Sequence, residues 1–590
     1  MGGSCGTPQK SAKDFLNPEQ EKLELALDED AEMQNAYKQS ERIVLHFQCK
    51  SVRELGIGFE PTSILVLSEK KAENTWEKLG STEMMLNDLN PNFVKGINVI
   101  YSAQELQKML IEIFELLNED DPDDPEGRTL LGSGEFMLIE LVNSKDKTIT
   151  LQLKDKRKKA GLVSILFEAR NEPKKIQTIG IQAKIEPCKD LASDYYFKIY
   201  RPLAKKNAEM DNGITPAIEE KNIIVYNSRY GRADEENNAY TWAKLKEPAK
   251  ALVLDDLDTP ITFEVGINKK ASAKEKKGVA QKLFEKITTI SAIQKHGVDW
   301  VLNIEEEGKE ELTEKFDKFR IAEVTLEEEY RFTDYIKAGA SLKLAVSIDF
   351  TLTNKNPMTK VNFHTENLEE NPYALLIRAL GNPIMSYDYD KRVLGLGHGA
   401  KLPVVGRTFC FALNGNIFDP ETTGLGNLLE YYLYALKKIK MGGPTYLAEV
   451  INYHADVVEL YVNQAAGKSI KYYTHLIFVD GTPLDVDEIK DALVKCASLP
   501  ISVIIVGINE LACQGMRDMF NPAVPIVSKK QGITAMRNTV QYVTCVPGKH
   551  NLQKIAMNIM LELQRQFVDY MSSNKIDPTS IKVISDQTTP

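Results

Sequence analysis

The sequence predicts three folded domains: two antiparallel β-sandwiches followed by one doubly wound α/β domain. Three observations support this prediction. The chain has 590 residues, of which 43% are hydrophobic and 27% charged, as expected for several globular domains. Short apolar runs separated by turns continue to about residue 325. Beyond them, continuous apolar runs alternate with segments of helical period, which is typical of α/β domains.

The first sandwich is expected over residues 40–171, after a flexible leader of residues 1–39, and the second over residues 172–327. Their strands are predicted from apolar and β-branched runs that have no long helical pattern between them. The runs of the first are ERIVLHFQCKSV, TSILVLSE, GEFMLIELV, KTITLQLKD and LVSILFEAR. The runs of the second are YYFKIYR, NIIVYNS, AKALVLDD, PITFEVGI, VDWVLNIEE and KFRIAEVTLEEEYRF.

The α/β domain is expected over residues 328–575, before a C-terminal tail of residues 576–590. GLGNLLEYYLYALKKIK places its leucines on one face of a helix. HLIFVDG and ISVIIVGI are continuous apolar runs, as found in parallel strands that are covered on both faces. DVDEIKDALVKCASLP lies between them with helical spacing, so the three segments predict a βαβ unit.

Charge and cysteine usage narrow the classes of function. A net charge of -11 disfavours general nucleic-acid binding, because phosphates require a clustered basic surface. The seven cysteines are scattered without CxxC spacing, which favours a reducing compartment over a disulfide or zinc scaffold. No apolar run reaches the roughly 20 residues of a membrane-spanning helix, and no signal peptide is recognised. We therefore expect a cytoplasmic protein with peripheral membrane contact.

Oxygen-bearing side chains follow two predicted strands of the α/β domain. Asp349, Thr351 and Thr353 form D-x-T-x-T after one strand, and Asp480 follows another. Thr445 precedes a further amphipathic segment. Ligands of such sheets bind at the carboxyl ends of the strands, and an oxygen-only set suits Mg²⁺ or Mn²⁺ better than zinc. The alternative is a structural aspartate accompanied by threonines that cap helices.

This arrangement resembles the metal-ion-dependent adhesion site of von Willebrand factor A domains, whose usual pattern is D-x-S-x-S. Threonine stands at both serine positions of this chain. Longer segments resemble the copines, namely YRFTDYIKAGASLKLAVSIDFTLTNKNP, YDYDKRVLGLGHGAKLP, FALNGN, GGPTYLAEVINYHA and LPISVIIVGI. The resemblance extends over about residues 40–575 and is closer in the C-terminal third. It implies two C2 domains that bind phospholipid, usually with calcium, and an A domain that recruits proteins.

The resemblance also implies calcium loops in the first sandwich, but the sequence departs from their aspartate pattern. Glu54 and Glu60 have the D-x5-D spacing with glutamate for aspartate, and Glu115 is followed two places later by Leu117 instead of an acidic residue. An acidic run comes next, formed by Asp120, Asp121, Asp123 and Asp124. Either Glu115 and Asp124 contribute to a weak calcium site, or the run is a solvated acidic loop.

The second sandwich has Asp190 and Asp194 in the first of its expected calcium loops. Its third loop carries lysines where the family has aspartates, which excludes calcium there. These residues are Lys269, Lys270, Lys274, Lys276 and Lys277. Such a loop either contacts anionic phospholipid headgroups, at about 1 kcal/mol per basic residue, or is mobile and binds nothing.

The first residues, MGGSCGTPQK, offer two lipidation sites. Gly2 is a candidate for myristoylation and Cys5 for palmitoylation, and two such chains give stable anchoring. Gly6 stands where the motif has serine or threonine, so a flexible tail is the alternative.

Catalysis has little support in the sequence. Gly395, Gly397 and Ala400 fit G-x-G-x-x-A, yet no clear buried strand leads into them and Pro403 disfavours a following helix. Neither a nucleophile–base pair nor HExxH is recognised. We expect an adaptor at membranes rather than an enzyme. The alternative is a calcium-independent structural scaffold in a cytoskeletal or other stable protein assembly.

Overall fold

A computed structural model describes residues 40–581 of the chain. Its gaps are residues 53–60, 73–74, 104, 117–127, 145–146, 156–157, 169–174, 189, 203–221, 229–230, 236, 270–278, 297–299, 304–317, 357–360, 466–469 and 514. The chain divides into two compact units. Ile176–Glu328 belongs to one unit, and Gln39–Lys175 together with Glu329–Pro590 forms the other.

The first sandwich consists of antiparallel strands around one core, as predicted. Its strands are β1 Ser40–Lys50, β2 Ser63–Ala72, β3 Thr75–Ser81, β4 Asn92–Ser102, β5 Lys108–Leu116, β6 Arg128–Met137, β7 Thr148–Asp155 and β8 Lys158–Glu168. Their order is β3-β2-β5-β6-β7-β8-β1-β4. One residue pair joins β6 to β7, so the sheet falls into two four-stranded halves. Leu65 and Ile111 of one half and Leu45 and Ile165 of the other are buried in the same core.

The second sandwich has two sheets, ordered β11-β10-β15-β16 and β12-β13-β9-β18-β17, with β14 paired to β9. Its strands are β9 Ile176–Ile185, β10 Asp194–Pro202, β11 Asn222–Asn227, β12 Gly231–Asp234, β13 Ala239–Trp242, β14 Leu245–Pro248, β15 Ile261–Lys269, β16 Val279–Thr288, β17 Trp300–Asn303 and β18 Lys318–Glu329. Phe197, Trp242 and Phe319 meet between the sheets with ring centroids 5.0–6.0 Å apart. The predicted sandwich is confirmed.

Two predicted strand segments contain short helices instead. GEFMLIELV leaves β6 at Met137 and continues as α1 Leu138–Asn143. AKALVLDD forms α2 Ala249–Val253, which ends where Leu254 takes a left-handed conformation at φ 58°. Short apolar runs do not distinguish a strand from a buried helical turn by periodicity alone, which explains both differences. The second sandwich also contains α3 Ile290–His296.

The α/β domain contains the predicted βαβ unit and the predicted helix of GLGNLLEYYLYALKKIK. Its helices are α4 Phe332–Lys337, α5 Pro372–Met385, α6 Gly424–Lys438, α7 Ala448–Ala465, α8 Val486–Ala497, α9 Met516–Met519 and α10 Leu552–Ser573. Its strands are β19 Ser341–Asp349, β20 Lys355–Asn356, β21 Val361–Asn362, β22 Arg392–His398, β23 Ala400–Leu402, β24 Gly406–Thr408, β25 Phe411–Ala412, β26 Glu421–Thr423, β27 Lys440–Met441, β28 Lys471–Val479, β29 Ile501–Gly507 and β30 Val540–Thr544.

The main sheet is ordered β25-β22-β19-β28-β29-β30. Five of these strands are parallel, namely β22, β19, β28, β29 and β30. Helices cover both of its faces. Ile504 packs in one core with Leu380 of α5 and Phe567 of α10. Its neighbour Ile505 packs in a second core with Ile451 of α7 and Leu493 of α8. Because both faces are covered, the apolar runs are continuous rather than alternating.

The first sandwich and the α/β domain share one hydrophobic core and a set of buried hydrogen bonds. Tyr101 and Tyr387 are 1% and 5% exposed, and their hydroxyl oxygens lie 3.4 Å apart. Tyr387 donates its hydroxyl proton to the carbonyl of Ala103, which also accepts from Gln564 Nε2 at 3.1 Å. Since Tyr387 and Gln564 belong to the α/β domain, the two domains are joined by satisfied buried contacts.

Further polar contacts surround this core. Lys337 forms an ion pair with Glu41 of β1, and both side chains are nearly buried. Asn143 Nδ2 donates to the carbonyl of Ser386 at 2.6 Å, and Lys147 Nζ donates to that of Lys337 at 2.7 Å. Breaking one member of such a buried pair leaves the other without its partner, so these contacts fix how the two domains pack.

Candidate metal centre

Two buried carboxylates meet at the carboxyl ends of neighbouring strands. Asp349 is the last residue of β19 and Asp480 directly follows β28, and both are 0% exposed. The two oxygens of Asp349 accept from the backbone amides of Thr351, at 2.8 Å, and Asp480, at 3.1 Å. Asp349 therefore holds both segments in place.

Two threonine hydroxyls face the second carboxylate. Thr353 Oγ1 donates to Asp480 Oδ1 at 2.7 Å, and Thr351 Oγ1 lies 3.2 Å from the same oxygen. The two hydroxyl oxygens are 2.8 Å apart. Asp480 Oδ2 is buried and has no hydrogen-bond partner among the described residues. A buried acceptor without a donor is costly, which makes this edge of the sheet suitable for a cation.

Backbone contacts fix the loop that carries the threonines. Thr351 pairs with Gly442, whose carbonyl accepts from the amide of Leu352 at 2.7 Å. Gly399 has φ +74°, and a Cβ there would lie 2.4 Å from Thr351 Cγ2. Only glycine suits both this conformation and this close approach.

A buried, stacked histidine supports the loop that follows β19. His364 Nε2 lies 2.9 Å from the carbonyl oxygen of Asp349, and its Nδ1 lies 2.7 Å from the Tyr432 hydroxyl. The ring stacks on Phe350 and Tyr373, with centroids 5.2 and 4.9 Å away. Burial lowers the pKa of His364 to about 4, so the ring is neutral at pH 7 and orients the loop without charging it.

The carboxylate pair has no compensating positive charge among the described residues. Burial and then the nearby charge of Asp349 raise the pKa of Asp480 to about 8. Burial also raises the pKa of Asp349. His398 Nδ1 lies 4.0 Å from Asp349 Oδ1, but burial lowers the pKa of His398 to about 4, so it is neutral at pH 7. A proton or a divalent cation is therefore needed to stabilise the pair.

This electrostatic arrangement predicts that Mg²⁺ stabilises the protein more at higher pH. The pKa of Asp480 rises on folding from 3.8 to about 8, so between these two pH values the metal-free folded chain holds a proton that the unfolded chain has lost. The contribution of Asp480 to metal-free stability is therefore fully present below pH 3.8 and is lost as the pH rises through about 8. Because a Mg²⁺ ion bound at this pair would compete with this proton, we expect any Mg²⁺-induced rise in melting temperature to grow between about pH 6 and 9. A rise independent of pH, or equal in Asp480→Asn, would contradict this expectation.

The fifth predicted ligand, Thr445, is less directly placed. Its side chain is buried, and its carbonyl accepts from the amide of Leu484, four residues beyond Asp480, at 3.1 Å. Within the described part of the chain, no hydrogen bond joins its hydroxyl to Asp349 or Asp480. The structure thus brings together four of the five predicted residues and places Thr445 on a neighbouring loop.

The candidate calcium residues are only partly described. Glu54, Glu60 and Asp124 lie outside the described residues, as do Asp120, Asp121 and Asp123. Glu115 is half-buried in β5, opposite Ser63 and Thr129. In the second sandwich, Asp190 accepts from Ser193 at 2.6 Å and Asp194 from Tyr240 at 2.9 Å.

Most of the candidate lipid-binding and lipidation residues also lie outside the described residues. Lys269 ends β15, whereas Lys270, Lys274, Lys276, Lys277, Gly2 and Cys5 are not described. Where the chain is described, no three or more His, Cys, Asp or Glu side chains gather as metal ligands, so a metal ion at Asp349 and Asp480 would require hydroxyl ligands as well as carboxylates. No described helix has the length and apolar character to cross a membrane.

The glycine-rich segment GLGHGAKLP begins within the buried strand β22 and continues into β23, contrary to the expectation that no clear buried strand leads into it. Gly395 and Gly397 belong to β22. A Cβ at Gly395 would lie 2.5 Å from Leu428 Cδ1, and one at Gly397 would lie 2.3 Å from Phe411 Cζ. These glycines allow close packing and do not form a phosphate-binding turn.

Sequence reasoning missed residues that hold the loop of Thr351 and Thr353 in place. Asn354 is fully buried, donates to the carbonyl of Thr351 at 3.3 Å, and accepts from the Tyr373 hydroxyl at 2.5 Å. Its position directly after the D-x-T-x-T motif was the available signal. His364 and Tyr373 have no local signal, because their contacts depend on how α5 packs against β19.

Comparison with known proteins identifies the C-terminal region. The family described as Copine matches residues 363–579, which include Thr445 and Asp480. One C2 domain of plant extended synaptotagmin 1 matches 22% of this chain and 96% of its own length, with 15% identity and a TM-score of 0.17. The second C2 domain of BON1 matches 23% of this chain and 94% of its own length, with 18% identity and a TM-score of 0.18. The calcium-bound pair of C2 domains of extended synaptotagmin 2 matches 48% of this chain and 97% of its own length, with 11% identity and a TM-score of 0.17.

Proposed function

The chain belongs to the copine family through its matched domain at residues 363–579, and from this premise we propose that it is a peripheral-membrane adaptor. In this proposal the two C2-like sandwiches dock on anionic phospholipid. A von Willebrand A-type domain holds Mg²⁺ or Mn²⁺ and recruits a protein partner. The observation that carries the proposal is the convergence of Asp349, Thr351, Thr353 and Asp480, with one carboxylate oxygen left without a partner among the described residues.

The available oxygens fit a hard divalent cation. Asp349, Asp480, Thr351 and Thr353 would hold it, with Thr445 on the neighbouring loop as a further hydroxyl. They are too few to complete a shell of six oxygens, so a position remains for an acidic side chain of the partner. When bound, the ion supplies the positive charge that the buried carboxylates lack. Thr353 is exposed, which gives the partner access to this edge of the sheet.

The described residues also support a non-catalytic role. Ser347 Oγ lies 2.7 Å from His475 Nε2, the geometry of a nucleophile and its base. Both side chains are 0% exposed, however, and lie within parallel strands that helices cover. Burial holds the pKa of His475 well below its usual value. Since no substrate reaches this pair without opening the sheet, we interpret it as a core hydrogen bond.

A structural scaffold is the second candidate function, favoured by the core that the first sandwich shares with the α/β domain. Vesicle sedimentation separates the two candidates. We expect most of the full-length chain to pellet with vesicles containing about 30% phosphatidylserine, at least in the presence of Ca²⁺, because basic side chains bind anionic surfaces. Vesicles of phosphatidylcholine alone are the control. A chain that stays in the supernatant in every condition, acylated or not, would contradict the adaptor and leave the scaffold.

A further inference from the structure

A small sheet beside the candidate metal centre carries three basic side chains in a row. The strands β24, β23 and β27 lie side by side, in this order. Lys401 of β23 lies directly opposite Arg407 of β24 on one side and Lys440 of β27 on the other. All three residues are exposed. We call these three residues the basic ladder.

The register shows that the basic ladder occupies the outer face of this sheet. Ala400 is 0% exposed and lies opposite Thr408 and Met441, which are half-buried. Because successive side chains of a strand point to opposite faces, Ala400 points inward and Lys401 points outward. Directly opposite residues share a face, so Arg407 and Lys440 point outward with Lys401.

The basic ladder costs stability unless an anion is present. Like charges that lie directly opposite in a sheet repel each other. Within the described part of the chain, none of the three forms an ion pair with an acidic side chain, whereas neighbouring Lys437 pairs with Glu366 at 3.8 Å. The whole chain has a net charge of -11, so the ladder is a local positive surface on an acidic protein.

The hairpin that carries the ladder ends in two exposed aliphatic residues. The turn between β23 and β24 consists of Pro403, Val404 and Val405. Val404 is 96% exposed and Val405 is 74% exposed. Adjacent aliphatic side chains in water are unfavourable, and basic side chains beside an apolar tip are typical of segments that lie in the membrane interface.

We propose that the hairpin Ala400–Thr408 docks on anionic membranes, with Val404 and Val405 in the interface and the basic ladder on lipid phosphates. This adds a membrane contact in the α/β domain to the docking proposed for the sandwiches. It also orients the metal centre, because Gly399 at the base of the hairpin packs against Thr351. An acidic protein partner would match the ladder but would give no role to two adjacent valines; it is the competing occupant in the test.

The test uses the full-length chain with Val404→Trp as a reporter of insertion. On vesicles of phosphatidylcholine with about 30% phosphatidylserine, we expect its tryptophan emission to shift to the blue and to be quenched by brominated lipid. The three native tryptophans are subtracted with the unsubstituted chain. Adding Lys401→Gln, Arg407→Gln and Lys440→Gln should abolish the shift and weaken vesicle affinity by about fivefold per basic residue.

Two matched controls use other exposed positions of the same domain. Leu511→Trp, at a residue 79% exposed, should give no shift. Lys529→Gln, Lys530→Gln and Lys575→Gln remove the same charge from exposed positions and should leave affinity unchanged. Sedimentation without a Val404→Trp shift would overturn the docked hairpin, as expected for a protein occupant, while sparing the sandwich docking. No sedimentation would overturn both proposals, and a shift that survives loss of the ladder would overturn the ladder's role.

Discussion

Asp349→Ala is expected to abolish Mg²⁺ binding, measured as the loss of binding heat in titration calorimetry, and with it any Mg²⁺-dependent capture of a partner. Asp349 supplies one of two carboxylates and also orients the amides of Thr351 and Asp480. Its removal would therefore disturb the other proposed ligands as well as the charge of the site. Metal affinity depends strongly on such orienting contacts.

A second variant keeps this test informative if Asp349→Ala does not fold. Thr353→Val preserves the shape of an exposed side chain and removes only the hydroxyl that donates to Asp480. We expect it to weaken Mg²⁺ affinity by about 10–100-fold. Thr482→Val is the matched control, because that hydroxyl donates to the Ala512 carbonyl at 2.9 Å instead. Unchanged Mg²⁺ affinity in Asp349→Ala and Thr353→Val would disprove the metal centre.

Tyr387→Ala is expected to lower the free energy of unfolding by about 3–5 kcal/mol, the usual cost of deleting a buried aromatic side chain. The ring packs edge-on against Phe332 with centroids 5.1 Å apart, and the hydroxyl bonds to Ala103 in the first sandwich. Because one core spans both domains, the loss should reach the sandwich too. Hydrogen exchange should therefore accelerate at the amides of β4 as well as β19.

Tyr387→Phe is the matched control, since it keeps the ring and removes only the hydroxyl. We expect it to lower the free energy of unfolding by about 1 kcal/mol, the net value of one hydrogen bond, because the Ala103 carbonyl keeps its second donor, Gln564. Exchange that accelerates only in the α/β domain of Tyr387→Ala would show that the two domains are not energetically coupled.

The sequence was most informative where a polar side chain directly follows a buried strand. Asp349 and Asp480 could be identified because continuous apolar runs end at them, and parallel strands bring their carboxyl ends together. Thr445 was expected in the same set, but its loop position is determined by contacts such as the Leu484 amide, which no local pattern encodes. The supporting His364 escaped prediction for the same reason.

The fold shows a similar division. The alternation of long helices and apolar strands predicted α6, α8 and the βαβ unit, because 12 or 15 residues suffice to display a helical period. The six residues of α1 and the five of α2 are too short for that. The role of the glycines of β22 could not be predicted from the sequence. They are needed because Leu428 and Phe411 lie close to them, and this closeness arises only in the folded chain.

The core shared by the first sandwich and the α/β domain has a consequence for synthesis on the ribosome. Ile176–Glu328 forms the other unit and is translated before the rest of that core exists. At about 5–20 residues per second, these residues delay its completion by roughly 8–30 s. During that interval Tyr101 and Ala103 of the nascent sandwich have no partner from the α/β domain. A chaperone that covers apolar surface is therefore expected to bind the nascent chain before α4 and α10 emerge, and to leave once they dock.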